Sequence, residues 1–497
     1  MSFVQNFPFF SIVLCLICAV VSFVVPRQWG RRLSITLLLV NCALHASVLQ
    51  FCYSHQISYR YMMGHYPAPW GNEIMAGILE PFMALLFSVV ILLAVLGGQR
   101  YIYRDVMAEK QHLYWIMIDL TLVSLLALSY TNDIFTGYVF IEICTIASCG
   151  LLAIREGGRN LIAAVRYMVF ALIGSGLFLI GVIYLYSITG HLLLPQLYET
   201  IQLLWAEGTY RFSLTVSIGL MVSGLAIKSG CFPFHFWMPD TYGRATPSSS
   251  GILSGTVSKA YIFLLIKIIY RAVGIEVFSA TGVQNILLLF GIGGMIIGSI
   301  SAIKAKQLST MVAYSSAAQI GYIFMGLGMG TDMALLATLL QIINHAVTKP
   351  MLFLSSARLK EASGGLEDFP HLRGAGHRAP FSGVAFTVGA LSMVGVPIFA
   401  GFIPKLYYAF GAFALSWAKW PVLLALAIST ILNVLYFLYT SVAIWLPENR
   451  EVSYAPITVT PVENLPLLLF AILNIVIGLG TAGIVTVLQS GMALFCQ

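Results

Sequence analysis

An all-α polytopic membrane fold of about fourteen transmembrane helices is predicted by three features of the 497-residue chain. Hydrophobic residues make up 59% of it and charged residues only 9%, against about a quarter charged in an ordinary soluble domain, and mean hydropathy is +0.90. Apolar runs of about twenty residues, the length that crosses a bilayer, recur from one end to the other. Two of those runs are interrupted by glycine and proline at corresponding places in two halves of the chain, as in transporters built from discontinuous helices.

In order, the runs lie at 7–26, 33–53, 74–97, 113–131, 133–154, 162–188, 212–238, 246–270, 284–303, 308–328, 332–357, 381–416, 421–446 and 464–488. The first lacks a basic leader and is expected to be a span, not a cleaved signal. The seventh carries Lys228, then Gly230, Pro233 and Pro239, and so breaks just after its lysine. The twelfth is too long for one straight span and contains Gly395, Pro397, Gly401 and Pro404, which makes it a second broken helix. The expected organisation is an N-terminal three-helix segment (1–112), two five-helix repeats (113–270 and 271–446) and a C-terminal helix (447–497). Five is odd, so the second repeat enters the membrane inverted relative to the first. Of 26 Lys and Arg residues, seventeen fall on loops of one side and only Arg60, Arg211, Arg271 and Lys419 on the other, the rest lying within spans. The richer side is expected to be cytoplasmic, in a bacterial or archaeal inner membrane, with both termini outside.

Composition also excludes functions. The net charge of +7 is scattered over short loops, which suits membrane orientation and not a nucleic-acid surface. The eight cysteines lie almost entirely in apolar runs, and the Cys15–Cys18 pair is intramembrane with no second pair at ligand spacing, so packing explains it better than a metal. No dinucleotide, phosphate-loop or haem signature is present. No cofactor, metal ligand or catalytic residue is expected.

The chemistry lies in charges placed inside spans. A lysine at the centre of a membrane helix costs about 2.5–3.5 kcal/mol on insertion scales, so it should face the protein interior or water. Lys228 beside the first break and Lys259 near the centre of the eighth span are such residues. Glu142, in TNDIFTGYVFIEICTIASCG, is the expected partner of Lys228; a carboxylate–lysine pair in low dielectric has coupled proton occupancy, since losing either charge leaves the other uncompensated. The structural alternative is a carboxylate tied to a hydroxyl and a lysine holding the kink. His345 and Lys349, in LLQIINHAVTKPMLFL, are four residues apart and share a helix face, and imidazole is suited to proton transfer. Lys405 follows the second break in VGVPIFAGFIPKLYYAFGAF. His235, in the first break, either satisfies freed backbone or carries protons. Lys267, near the outer end of the eighth span, reads more simply as a snorkelling side chain, with a relay role as the alternative. Glu80 and Asp119 read as residues near opposite interfaces, outside the relay. Asp133 and Asp240 read as helix-end or loop residues, where an aspartate caps exposed amides.

Over 70–445 the chain resembles the antiporter-like membrane subunits of respiratory complex I, of Mrp-type multisubunit cation/proton antiporters and of membrane-bound hydrogenases. The resemblance rests on NDIFTGYVFIE with Glu142, AIKSGCFPFHFWMPDTY with Lys228, SGTVSKAY with Lys259, STMVAYSSAAQIGYIFMG, NHAVTKPMLFL, and GVPIFAGFIPKLY with Lys405. It implies fourteen helices, two inverted five-helix repeats and broken helices 7 and 12. It also implies an ion-pair switch of Glu142 and Lys228, a central relay at Lys259, an onward axis at His345 and Lys349, and a terminal proton site at Lys405. The stretch GHYPAPWG and the length look most similar to the D-type Mrp subunit and its hydrogenase counterparts. The chain departs from the longest complex I member in having no lateral helix after the fourteenth span, and from the family in Pro350, where a small residue is expected.

The expected function is therefore a proton-translocating, antiporter-like subunit that makes and breaks no bonds other than those to protons. Its partners would be other membrane subunits, the bilayer, protons and, as a second candidate ion, sodium. The rival readings are a stand-alone secondary transporter for sodium or a solute, a quinone- or haem-binding redox subunit, and an inactive assembly scaffold.

Overall fold

The computed structural model describes residues 3–66, 71–447 and 460–495; Arg450, Cys496 and residues 67–70 of the GHYPAPWG stretch lie outside them. The N-terminal segment comprises α1 (Phe7–Val24), α2 (Arg27–His55) and α3 (Leu79–Asp105). Between the last two lies an antiparallel pair, β1 (Tyr59–Met62) and β2 (Glu73–Ala76), with Tyr59 opposite Ala76. This corrects the all-α expectation: the apolar run beginning at 74 starts as a strand, and the helix begins only at Leu79. Pairing the two strands satisfies backbone groups that an irregular connection would leave open.

The chain continues through α4 (Gln111–Tyr130), α5 (Ile134–Ala153) and α6 (Gly158–Thr189). Asp133 is the N-cap of α5, accepting the Thr136 N–H at 2.6 Å. The connection expected after α6 contains a helix, α7 (Leu194–Glu207), which buries Leu194, Leu197 and Ile201. That three-and-four spacing is the mark of an amphipathic helix lying on a surface. Next, α8 (Arg211–Ser229) ends one residue after Lys228. Gly230 takes φ 76° there, a left-handed conformation that glycine adopts without steric cost. The chain then crosses a 3₁₀ turn (Phe234–Trp237) and α9 (Met238–Tyr242).

The eighth span is built from α10 (Pro247–Ile252), a π-helical turn (Leu253–Val257) and α11 (Ser258–Lys267), followed by a second π-helical turn (Ile268–Val273). Then come α12 (Ile275–Ala280), α13 (Val283–Lys304), α14 (Leu308–Met329) and α15 (Asp332–Ala362). After α16 (Ala375–Arg378), the second interrupted segment appears as α17 (Pro380–Val394) and α18 (Phe402–Ala412), with Gly395 at φ 89° between them. The described chain closes with α19 (Lys419–Asn433), a π-helical turn (Val434–Leu438), α20 (Tyr439–Ala443), α21 (Pro461–Leu479) and α22 (Thr481–Phe495). The last expected span is thus longer than 464–488 and is divided at Gly480.

Among the described residues, eleven helical stretches are long and apolar enough to cross a membrane. Pro247–Val273 is buried throughout its most apolar window, whereas the outer helices expose apolar faces. Lipid supplies no hydrophobic drive between helices, so close backbone approach matters. A Cβ on Gly291 would collide with the Met325 nitrogen and one on Gly321 would lie 2.5 Å from the Met295 nitrogen, which seals α13 against α14. Pro350 does not interrupt α15. Its atoms pack where a Cβ on Gly251 or Gly255 would come within 3.0 or 2.9 Å, so the unexpected proline is matched by two glycines of the eighth span.

Candidate functional site

Because α8 stops at Ser229, Lys228 occupies its last turn and projects toward α5. Its Nζ stands 3.7 Å from Glu142 Oε1, with the lysine side chain 1% exposed and the glutamate 25%. That separation is an ion pair, not a direct hydrogen bond. The hydrogen bond is instead donated to Thr145 Oγ1 at 2.6 Å, and Thr145 follows Glu142 by three residues, on the same face of α5. The ammonium also lies 5.5 Å from the Tyr261 ring centroid. Hydroxyl and ring hold the cation, with the carboxylate at ion-pair distance.

Lys259 is fully buried on α11, just past the π-helical turn. It donates to the Ser254 carbonyl at 2.5 Å and to Ser258 Oγ at 2.9 Å, and no carboxylate among the described residues is hydrogen-bonded to it. A π-helical turn widens the backbone spacing and is frequent at functional positions; here it supplies the carbonyl that receives Lys259. His345 and Lys349 are fully buried on α15, and Lys259, His345 and Lys349 lie within electrostatic reach of one another. Lys349 donates to the Val312 carbonyl at 2.9 Å and to Ser315 Oγ. Neither ring nitrogen of His345 meets a hydrogen-bond partner among the described residues, which leaves it able to take or give a proton.

Lys405, on α18, reaches back across the second break to the carbonyls of Val394 at 2.6 Å and Met393 at 3.1 Å, which end α17. Its Nζ lies 5.4 Å from the Tyr322 ring centroid. Lysines therefore mark both breaks, and at the second the carbonyls freed by the broken helix hold the ammonium. The break itself is tied by Asn344, whose Oδ1 accepts from Ser392 Oγ at 3.0 Å, and by Ser392 Oγ accepting the Gly401 N–H at 3.1 Å.

Several polar groups between these charges escaped the reading of the sequence. Ser254 and Ser316 hydroxyls meet at 3.0 Å, joining the Lys259 region to α14. On α14, Ser315 binds Lys349, Gln319 accepts from Gln341 Nε2 at 2.6 Å, and Tyr322 lies under Lys405. Ser315, Gln319 and Tyr322 are spaced four and three apart, so one helix face spans the gap from Lys349 to Lys405. The motif STMVAYSSAAQIGYIFMG contains all three, and that spacing was the available signal.

Two residues, Lys267 and Arg271, correct the expectations. Lys267 does not snorkel: it is fully buried and donates to the carbonyls of Leu128, Ser129 and Thr131 where α4 ends. The exposed carbonyls of a helix C-terminus attract a cation. Glu80 is fully buried and paired with Arg271 at 2.6 Å, so Arg271 is not a loop charge. Asp119 is likewise fully buried. As for the histidine of the first break, His235 is buried with its ring 4.5 Å from that of Phe236. Asp240 pairs with Arg166 and, at 3.7 Å, with Arg244.

Residues 131–433 match the family described as NADH:quinone oxidoreductase/Mrp antiporter, TM. The NADH-quinone oxidoreductase subunit N of Desulforudis audaxviator is 31% identical over 384 residues, covering 76% of this chain and 74% of the relative. The D-type subunit of the Na(+)/H(+) antiporter of Alkalihalophilus pseudofirmus is 26% identical over 353 residues, 71% of this chain and 69% of that one. Two solved structures share the fold. A chain of the membrane-bound sulfane sulfur reductase, an archaeal respiratory membrane complex, aligns with TM-score 0.87 at 24% identity over 99% of this chain and 97% of its own. A chain of the Mrp complex from Dietzia sp. DQ12-45-1b aligns with TM-score 0.84 at 20% identity over the same shares.

Proposed function

The chain belongs to the membrane family of NADH:quinone oxidoreductase and Mrp antiporter subunits, and from that premise we propose that it relays protons along a buried row of side chains within a multisubunit membrane complex. It is a multi-pass, antiporter-like subunit whose partners are other membrane subunits. The observation that carries the relay is the row itself: Lys228, Lys259, His345 and Lys349 are buried and Lys405 is partly buried, and the four lysines are held by hydroxyls, carbonyls or rings. A cation that receives only neutral oxygens keeps its proton loosely compared with one locked in a tight carboxylate pair.

In this reading Glu142 governs Lys228. When the carboxylate closes on the ammonium, the proton stays; when it withdraws, the proton is free to pass to Lys259 and on through His345 and Lys349 to Lys405. Supporting a fourteen-span arrangement of two inverted five-helix repeats, at 113–270 and 271–446, are the breaks at Gly230 and Gly395, each with a lysine beside it. The asymmetry of Lys and Arg between the two sides, three on the poorer side once Arg271 is set aside, favours both termini outside. The driving force comes from the partner subunits, through a redox reaction or an opposing ion gradient.

The test is driven proton transport by the assembled complex in proteoliposomes. Glu142→Gln and Lys228→Ala are expected to abolish it with subunit composition unchanged, and Lys405→Met to block passage through the second repeat. Full transport in these variants refutes the row.

A further inference from the structure

A second set of buried polar groups lies outside the charged row, in the N-terminal segment. On α2, Ser34, Asn41, His45 and Cys52 are all fully buried, and spacings of seven, four and seven put them on one face. That face meets α1 and α4, which pack against it and against each other. From α1 come Cys15 and Ser22, and from α4 Asp119 and Tyr130, each also buried.

The groups follow one another along the seam. Near the α1–α2 connection, Ser34, Cys18 and Ser22 border the Asp119 carboxylate. Asn41 Nδ2 donates to Cys15 Sγ at 3.3 Å. One turn further along α2, His45 Nδ1 lies 3.0 Å from the Tyr130 hydroxyl. Tyr130 is in electrostatic contact with Tyr59 and Glu80, and Glu80 pairs with Arg271. Arg271 in turn lines a cavity of about 270 Å³ shared with Arg60, Asn132 and Glu199.

This seam is poorly satisfied. Asn41 Oδ1, His45 Nε2 and Tyr59 Oη meet no hydrogen-bond partner among the described residues, and the Asp119 oxygens, bordered by Ser22, Ser34 and Cys18, make no hydrogen bond of full geometry with them. Buried polar groups in native proteins are almost always paired, and those left over are satisfied by internal water or mark a functional site. Such groups at membrane depth are functional by default. No lysine or arginine neutralises Asp119 as Arg271 neutralises Glu80, among the described residues.

Resting on the relay proposed above, we propose that this seam is a proton path in series with the charged row, with Asp119 as its internal proton site and the Glu80–Arg271 pair at its mouth. Each transfer breaks one O–H or N–H bond and forms another along water, carboxylate, imidazole and phenol, so nothing is oxidised or reduced. The mouth is shared, because Glu80 is also in electrostatic contact with Lys267. This places the end of the seam where the eighth span finishes.

Hydroxyl-radical footprinting of the resting, assembled complex reads the water directly and does not depend on the charged row. Cys15 and Tyr130 are expected to be labelled as side chains beside bound water, and Asn41→Leu, which plugs the seam, to abolish that labelling. In proteoliposomes, Asp119→Asn and His45→Leu are expected to lower driven proton uptake by about tenfold, with subunit composition unchanged. Should Asp119→Asn fail to assemble, Ser34→Ala takes its place as the probe of the carboxylate's surroundings. Unlabelled Cys15 and Tyr130 in the native complex, or full uptake in these variants, overturns the proposal.

Discussion

Lys228 is held by Thr145 Oγ1 at 2.6 Å while Glu142 stands at 3.7 Å, so the hydroxyl fixes the ammonium whichever way the carboxylate moves. Thr145→Val removes a hydrogen bond to a charged group, worth about 1.5–3 kcal/mol. It is expected to lower both the melting temperature of the complex and its driven transport, and Thr145→Ser to retain them. Equal values for Val and Ser would refute the holding role. Lys267 makes a second residue-scale test. Three carbonyls at the end of α4 converge on it, so Lys267→Met strands buried acceptors at about 1–3 kcal/mol. A clear drop in thermal stability is expected, whereas a lysine reaching for the membrane surface would lose almost nothing.

At the scale of elements, α14 and α15 carry the connection between the two ends of the row. Gln319 and Gln341 bond side chain to side chain at 2.6 Å, each with one further polar atom unpartnered among the described residues, a pair suited to holding water between Lys349 and Lys405. Gln319→Leu is expected to reduce driven proton flux by about tenfold with assembly intact; undiminished flux places the route elsewhere. Gly321 serves packing instead. With the Met295 nitrogen 2.5 Å from where its Cβ would be, Gly321→Leu forces α13 and α14 apart. Loss of the assembled complex on native gels is the expected outcome.

For the molecule as a whole, the junction of the eighth span with α14 is the contact to test. Ser254 and Ser316 bring hydroxyls from the eighth span and α14 to 3.0 Å, which places the two side chains in direct contact. Ser254→Cys combined with Ser316→Cys is expected to cross-link under oxidation and to stop transport until a reductant restores it. Transport that persists in the cross-linked protein would show that this junction carries neither motion nor protons.

The membrane character, the places of the two breaks and the burial of Lys228, Lys259, His345 and Lys349 were all legible in the sequence. Each depends on local quantities: apolar length, helix-breaking residues, and the cost of a charge in hydrocarbon. The amphipathic helix α7 and the strand pair before α3 were missed because short mixed segments have weak periodicity. The surroundings of Lys267, Glu80 and Asp119 were not legible for a different reason. A charge near a helix end has the same local pattern whether it reaches for water or turns inward, and only neighbours distant in sequence decide which. Leu128, Ser129 and Thr131 lie 136 to 139 positions from Lys267, and Arg271 lies 191 from Glu80. The sequence by itself determined which side chains are too costly to leave in lipid. The tertiary structure alone decided what each one touches, because a buried polar group is stabilised by the acceptors that packing brings to it, and those come from other helices.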